Sequence, residues 1–332
     1  MIHPGSGKTA TTWLQSCFSK IPKTFYIGKD PWYNKTILYN YHKELFCSYY
    51  SKKFRSRNSS AYVKSYVNQL ITLIKPKIEK DEIKNIILSD ECIMGYGSYN
   101  AELNILLCKL LFSYLDKSLN EFGVVLKPSI LYTIREQKSA LQSIYAYDYI
   151  HQKEKSSDFE AFLNWGISNL NDDLFGGLNY YETSQIFDHV VDWPINIVPY
   201  EVLAGKGSEE YLFRCCRDIN ILKDDLSSIS KEQKPLNVNS QRNTNFLKKP
   251  NFISTVVHFL EKNSLIKNLT KIIPKSFVKY VWNLLRSKKS TIATNTKIVF
   301  PDKLIKAYND IYHESNLLLS SKYDINLKDY GY

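Results

Sequence analysis

The stretch HPGSGKTATTWLQ (3–15) has residue types and spacing suited to holding an anion. Gly5 and Gly7 let backbone N–H groups converge on one point, Lys8 adds a charge, and Thr9, Thr11 and Thr12 add hydroxyl donors. Thr9 to about Lys20 reads as a helix launched from this turn, so the positive helix end faces the same point. Together these residues predict a phosphate cradle.

A cradle alone does not choose its ligand. The ending GSGKT suits an ATP or GTP loop, but that motif needs a glycine five residues before Gly7, where Ile2 stands. IILSD (86–90) imitates an acidic strand end that holds magnesium, so an ATP-dependent kinase or hydrolase stays open. Asp90 and Glu91 close that apolar run and are the first carboxylates suited to taking a proton. His42 and Glu44, in the helical stretch after the loop, are the reserve bases. Further on, Arg135 ends a second apolar run and Ser143 follows it by eight residues; a guanidinium fork and a short hydroxyl suit a phosphate oxygen pair.

KTATTWLQ (8–15) resembles the 5′-phosphosulfate loop of sulfotransferases that use 3′-phosphoadenosine 5′-phosphosulfate (PAPS). Two positions depart from the family: Gly7 replaces its usual Pro, and Ala10 replaces its usual Gly, putting a methyl near the approaching phosphate. SILYTIREQKSALQSIYAY (129–147) resembles the family's 3′-phosphate site, with Arg135 at a strand end and Ser143 in the next helix. The strand ends at Ser89–Glu91 and Tyr200–Glu201, and the C-terminal SNLLLSSKYDINLKDYGY (315–332), are similar in kind and order to bacterial, carbohydrate-type members. NVNSQRNTN (237–245) falls where the family places a loop over the nucleotide, with Arg242 as the contact.

The resemblance implies a PAPS-dependent sulfotransferase, with 3′,5′-ADP as product and no metal requirement. It places Gly5, Gly7, Lys8, Thr9, Ala10, Thr11, Thr12, Arg135, Ser143 and Arg242 at the nucleotide. Lys8 acts on the leaving phosphate, and Glu91, ahead of Asp90 and His42, takes the acceptor proton. The implied acceptor is a glycan or glycolipid. Two alternatives stand beside this reading: the kinase or hydrolase, and a nucleotide-binding protein without turnover, hinted at by Ala10 and by the few residues before the loop.

The elements that must position these residues follow from the pattern. Short β-rich runs at 25–27, 86–91, 129–136 and 195–201 alternate with helical stretches near 38–54, 61–74, 101–122 and from 136 through 149. Pro76 is expected to stop the second of these helices. Such alternation predicts an α/β fold of P-loop-like, three-layer type, with a central parallel β-sheet flanked by helices and a helical C-terminal extension. In such sheets ligands sit beyond the strands' carboxyl ends, where the charged residues above gather. The expected organisation is one sulfotransferase domain over 1–332. Its core covers about 1–226, a basic loop and helical insertion covers 227–300, and a C-terminal helix and tail cover 301–332. Within the insertion, Ser227 to Lys249 reads as loop, and Asp302 to Tyr323 reads as the last helix.

The chain carries 44 Lys and Arg against 33 Asp and Glu, a net +11, and the excess is local. Between Lys231 and Phe300 there are 14 Lys or Arg against only Glu232 and Glu261. The remainder is close to neutral, which argues against a nucleic-acid-coating surface. The basic stretch 251–289, which alternates apolar runs with lysines, suits an acidic glycan or the anionic inner face of a membrane. The six cysteines (Cys17, Cys47, Cys92, Cys108, Cys215, Cys216) show no zinc or disulfide spacing and read as reduced thiols. With no signal-peptide pattern and no apolar run of membrane length, the expected location is cytoplasmic, with peripheral contact at the inner membrane face.

Overall fold

The computed structural model describes residues 1–5, 9–28, 59–93, 98–152, 158–233, 246–248 and 295–332. Its centre is a five-stranded, wholly parallel sheet built from β1 (Ile2–His3), β2 (Thr24–Gly28), β3 (Asn85–Ser89), β4 (Ile130–Ile134) and β5 (Ile195–Pro199). The strand order is β2-β3-β1-β4-β5. Helices cover both faces, giving the three-layer α/β arrangement that the alternating pattern predicts.

Each strand sorts its side chains by alternation. Ile87, Leu131 and Val198 enter the apolar layer formed with α1 (Thr11–Phe18), α8 (Glu201–Cys215) and α9 (Lys223–Glu232). Their neighbours Leu88, Ile130, Tyr132 and Ile197 enter the opposite layer. That larger layer is closed by α2 (Ser59–Glu79), α3 (Ser98–Asn120), α4 (Gln137–Gln152), α5 (Phe159–Ser168), α6 (Asp173–Gly176), α7 (Tyr180–Val190) and α10 (Asp302–Tyr323). Residues 246–248 (β6) and 295–297 (β7) form a separate antiparallel pair, with Phe246 opposite Lys297.

Two boundaries differ from the sequence reading. Helix α2 does not stop at Pro76 but runs on to Glu79. A proline removes one N–H and one intrahelical bond, yet Leu70, Ile74 and Ile78 recur at a spacing of four and pack on the core, which holds the last turn. The segment read as loop from Ser227 begins inside α9. Asp224 and Asp225 favour its positive end, and Leu226, Ile229 and Ser230 are buried on one face. Helices α5, α6 and α7 fill a region for which the sequence suggested no element. By contrast, α10 spans Asp302–Tyr323 as its periodicity predicts. No helix among the described residues is long and apolar enough to cross a membrane. The described thiols Cys17, Cys108, Cys215 and Cys216 are buried and unpaired with one another, and burial pushes each one's pKa up.

The topology creates a crevice. After β1 the chain leaves toward β2 on one side of the sheet; after β4 it leaves toward β5 on the other. Among the described residues, the connections that leave the carboxyl ends of adjacent β1 and β4 therefore diverge, the kind of position where open α/β sheets hold ligands.

Candidate functional site

Four strand ends meet at this edge. β1 delivers Pro4 and Gly5, β3 delivers Asp90 and Glu91, β4 delivers Arg135, and β5 delivers Tyr200 and Glu201. Gly5 has φ +58°, and a Cβ there would meet the Thr11 methyl at 3.0 Å and the Glu91 Cα and Cγ at 3.4 Å. The backbone turn and the close approach of three elements thus both require glycine at position 5. Ala10, the N-cap of α1, also lies in the left-handed region, at φ 58° and ψ 25°. Alanine is strained in that conformation, and glycine would not be.

Thr11 opens α1, and its hydroxyl donates to Glu91 Oε1. The loop and the acidic strand end are therefore joined directly. Glu91 is exposed while Asp90 is buried, its backbone spent on the turn: its N–H donates to the His3 carbonyl at 3.2 Å and its carbonyl accepts from Ile93 N–H at 3.2 Å. Of the two acids, Glu91 is the one open to solvent.

A buried polar chain runs beneath the loop. The His3 Nδ1 lies 2.8 Å from Ser89 Oγ, its Nε2 lies 3.4 Å from Thr133 Oγ1, and Thr133 Oγ1 lies 2.8 Å from Thr9 Oγ1. All four residues are fully buried or nearly so, and burial lowers the His3 pKa to about 3, so the imidazole is neutral. Tyr211, from α8, donates its hydroxyl to the Thr9 carbonyl at 3.1 Å. The Thr9 hydroxyl, expected to face the anion, is engaged with the sheet below. Neither His3 nor Thr133 was singled out from the sequence; the only available signal was a polar residue at the end of each buried strand.

No family model, curated protein or solved structure matches the chain. The site must therefore be read from its own geometry.

Across the crevice, Arg135 is 7% exposed. Its Nε donates to Ser139 Oγ at 2.7 Å, and its guanidinium lies over the Tyr200 ring at 4.7 Å from the centroid. Its carbonyl accepts the Tyr180 hydroxyl at 2.5 Å. Ser143, the residue expected to share the phosphate, is buried one turn further along α4 than Ser139. Glu136 caps the start of α4, with Oε2 accepting from Ser139 N–H at 2.8 Å and Oε1 from Lys138 N–H at 3.1 Å. Glu201 accepts from Glu136 N–H at 2.9 Å and from the Tyr332 hydroxyl at 3.0 Å. Burial raises its pKa, opposed by those bonds and by the Arg135 charge.

Helix α1 also anchors the start of the basic region. Trp13 stacks on Tyr211, and its indole N–H donates to the Gln233 carbonyl; Ser16 Oγ donates to Gln233 Oε1 at 2.6 Å. Gly7, Lys8, His42, Glu44, Arg242 and the 251–289 stretch lie outside the described residues. Thr12 is exposed on the first turn of α1.

Proposed function

We propose that this chain is a PAPS-dependent sulfotransferase that moves a sulfuryl group to a hydroxyl or amine of an acceptor, a glycan or glycolipid. The observation that carries this reading is the pairing of two anion-suited elements across one crevice. One is the Gly5 turn with the start of α1, at the end of β1; the other is buried Arg135, at the end of adjacent β4. A nucleoside triphosphate would put its phosphates in the loop and leave the arginine on the next strand to its contacts with Ser139, Tyr200 and Glu201. A nucleotide phosphorylated at both 3′ and 5′ positions gives a task to both.

The residues fit such a ligand. Gly5 lets the turn approach Thr11 and Glu91 closely, which brings the loop to the strand ends, and Arg135 presents a guanidinium whose Nε is already held by Ser139. When bound, PAPS supplies the sulfuryl group and a phosphate leaving group. The N–H groups at the start of α1, with Lys8, offset the negative charge that builds on the departing phosphate oxygen as its bond to sulfur breaks. Glu91 takes the proton from the acceptor as the new sulfur–oxygen bond forms, and Thr11, donating to Oε1, keeps Oε2 turned to that task. In this reading Thr11 serves the base more than the anion.

The test is a thermal-shift comparison joined to a transfer assay with radiolabelled PAPS and a panel of glycans and glycolipids. Stabilisation by 3′,5′-ADP in the presence of a chelator, with label appearing on an acceptor, is the expected result. Stabilisation by ATP with magnesium alone overturns the proposal in favour of a kinase or hydrolase. Binding of 3′,5′-ADP with no transfer to any acceptor leaves a nucleotide-binding protein without turnover.

A further inference from the structure

Arginine is a flexible side chain, and its value to a ligand depends on how much of that freedom has been removed beforehand. The Arg135 side chain is restrained by contacts on two different elements. Ser139, on α4, takes the Nε–H, and the guanidinium carbon lies over the Tyr200 ring, at the end of β5; Tyr180, on α7, holds the backbone carbonyl. The Nε hydrogen bond and the ring contact together restrict the rotamers open to the guanidinium.

Ser139 is in turn placed by the cap of its own helix. Its N–H donates to Glu136 Oε2 at 2.8 Å, so the first turn of α4 is fixed where the hydroxyl must meet Nε. Tyr200 is likewise fixed, since its ring packs edge-on to Tyr211 at 6.5 Å and its N–H donates to the Ile134 carbonyl at 2.8 Å. The serine and the tyrosine thus arrive at Arg135 from independently anchored elements.

From this geometry we infer that Ser139 and Tyr200 are positioning residues that set the preference of the site for a 3′-phosphorylated nucleotide, by holding the Arg135 fork in a single orientation. The inference rests on the proposed nucleotide, and it adds Ser139, one helical turn before Ser143, as the hydroxyl partner of Arg135. It separates the two serines by role: Ser139 orients the arginine, and Ser143 remains the residue assigned to the phosphate.

The experiment is isothermal titration of the full chain with 3′,5′-ADP and with 5′-AMP. The variants are Ser139→Ala, Ser139→Thr, Tyr200→Leu and Tyr200→Phe, each checked for its melting temperature. The wild-type protein is expected to prefer 3′,5′-ADP. Ser139→Ala should cut the preference ratio about tenfold, as for loss of a charge-assisted hydrogen bond. Tyr200→Leu should cut it by about three- to tenfold, as for loss of a guanidinium–ring contact. Ser139→Thr and Tyr200→Phe keep the hydroxyl and the ring and should keep the ratio. A merely structural role would weaken both nucleotides equally and leave the ratio alone, and that outcome overturns the inference. If Tyr200→Leu does not fold, Ser139→Ala decides, because a small, partly exposed serine is replaced there by a smaller residue. A wild-type protein with no preference for 3′,5′-ADP removes the nucleotide reading itself, and a preference that survives both truncations removes only the assignment of Ser139 and Tyr200.

Discussion

The hydrogen bond from Thr11 to Glu91 joins residues 80 positions apart and gives the exposed carboxylate a fixed direction. Glu91→Gln keeps the shape and removes the basicity, so 3′,5′-ADP binding should persist while sulfuryl transfer falls by about 10²-fold. Asp90→Asn is the control, expected to be milder because Asp90 is buried and shapes the turn. Full transfer by Glu91→Gln would return the base to His42 or Glu44. Asp90, Glu91 and Arg135 were legible in the sequence because charge at the end of a buried run is a strong local signal. Ser139 and His3 were not, because their importance lies in contacts with side chains brought in by the fold. His3 also makes stability depend on pH. Its folded pKa is lowered by burial to about 3 from an ordinary 6.5, so below 6.5 the unfolded chain takes up a proton that the folded one refuses. The His3 contribution is therefore fully present above 6.5 and is lost as the pH falls toward about 3. Urea unfolding at pH 7.5 and at pH 5 should show wild type losing up to about 1.4 kcal/mol per pH unit through this group. His3→Asn should be less stable at pH 7.5 but lose less on acidification; an unchanged slope would show that other groups set the acid limb.

At the scale of elements, α1 begins from a strained residue. Alanine in the left-handed region costs about 1 kcal/mol, and glycine carries no such penalty and is an acceptable N-cap. Ala10→Gly should therefore raise the unfolding free energy by about 1 kcal/mol in denaturant titration, provided the methyl contributes little packing. A clear loss of stability would mean that the Ala10 methyl, which touches the apolar layer shared with α8 and α9, outweighs the strain. Strands β2 to β5 were legible as short apolar runs, three of them closed by charged residues, and helix α10 because its apolar period is long. Pro76 misled because the sequence shows a missing donor but not the Leu70–Ile74–Ile78 row packed on the core beneath it. The start of α9 was hidden by its polar surface, since a helix that buries only three residues carries a weak apolar pattern.

For the whole molecule, the sheet gathers residues from both halves of the chain at one edge, and the crevice exists only because β1 lies between β3 and β4. That central strand is two residues long, and its bonds all reach far along the chain. Ile2 N–H meets the Ser129 carbonyl at 2.8 Å, Leu88 N–H meets the Met1 carbonyl at 3.0 Å, and Asp90 N–H meets the His3 carbonyl at 3.2 Å. A contact between distant residues pays its loop-closure entropy before it is rewarded, so such pairings form late in folding. During synthesis on the ribosome, residues 1–3 have no sheet partners until residues near 88 and 130 have been made. The Gly5 turn consequently acquires its shape only when the two halves of the sheet close on β1, and no partly folded intermediate lacking that closure can carry the proposed nucleotide site. Pulse-labelled hydrogen exchange during refolding should find the amides of Ile2, Leu88 and Asp90 protected in the slowest phase, after those of α3, and 3′,5′-ADP should accelerate no earlier step. Protection of those three amides in the first phase would mean that the central strand is the nucleus of the sheet rather than its keystone.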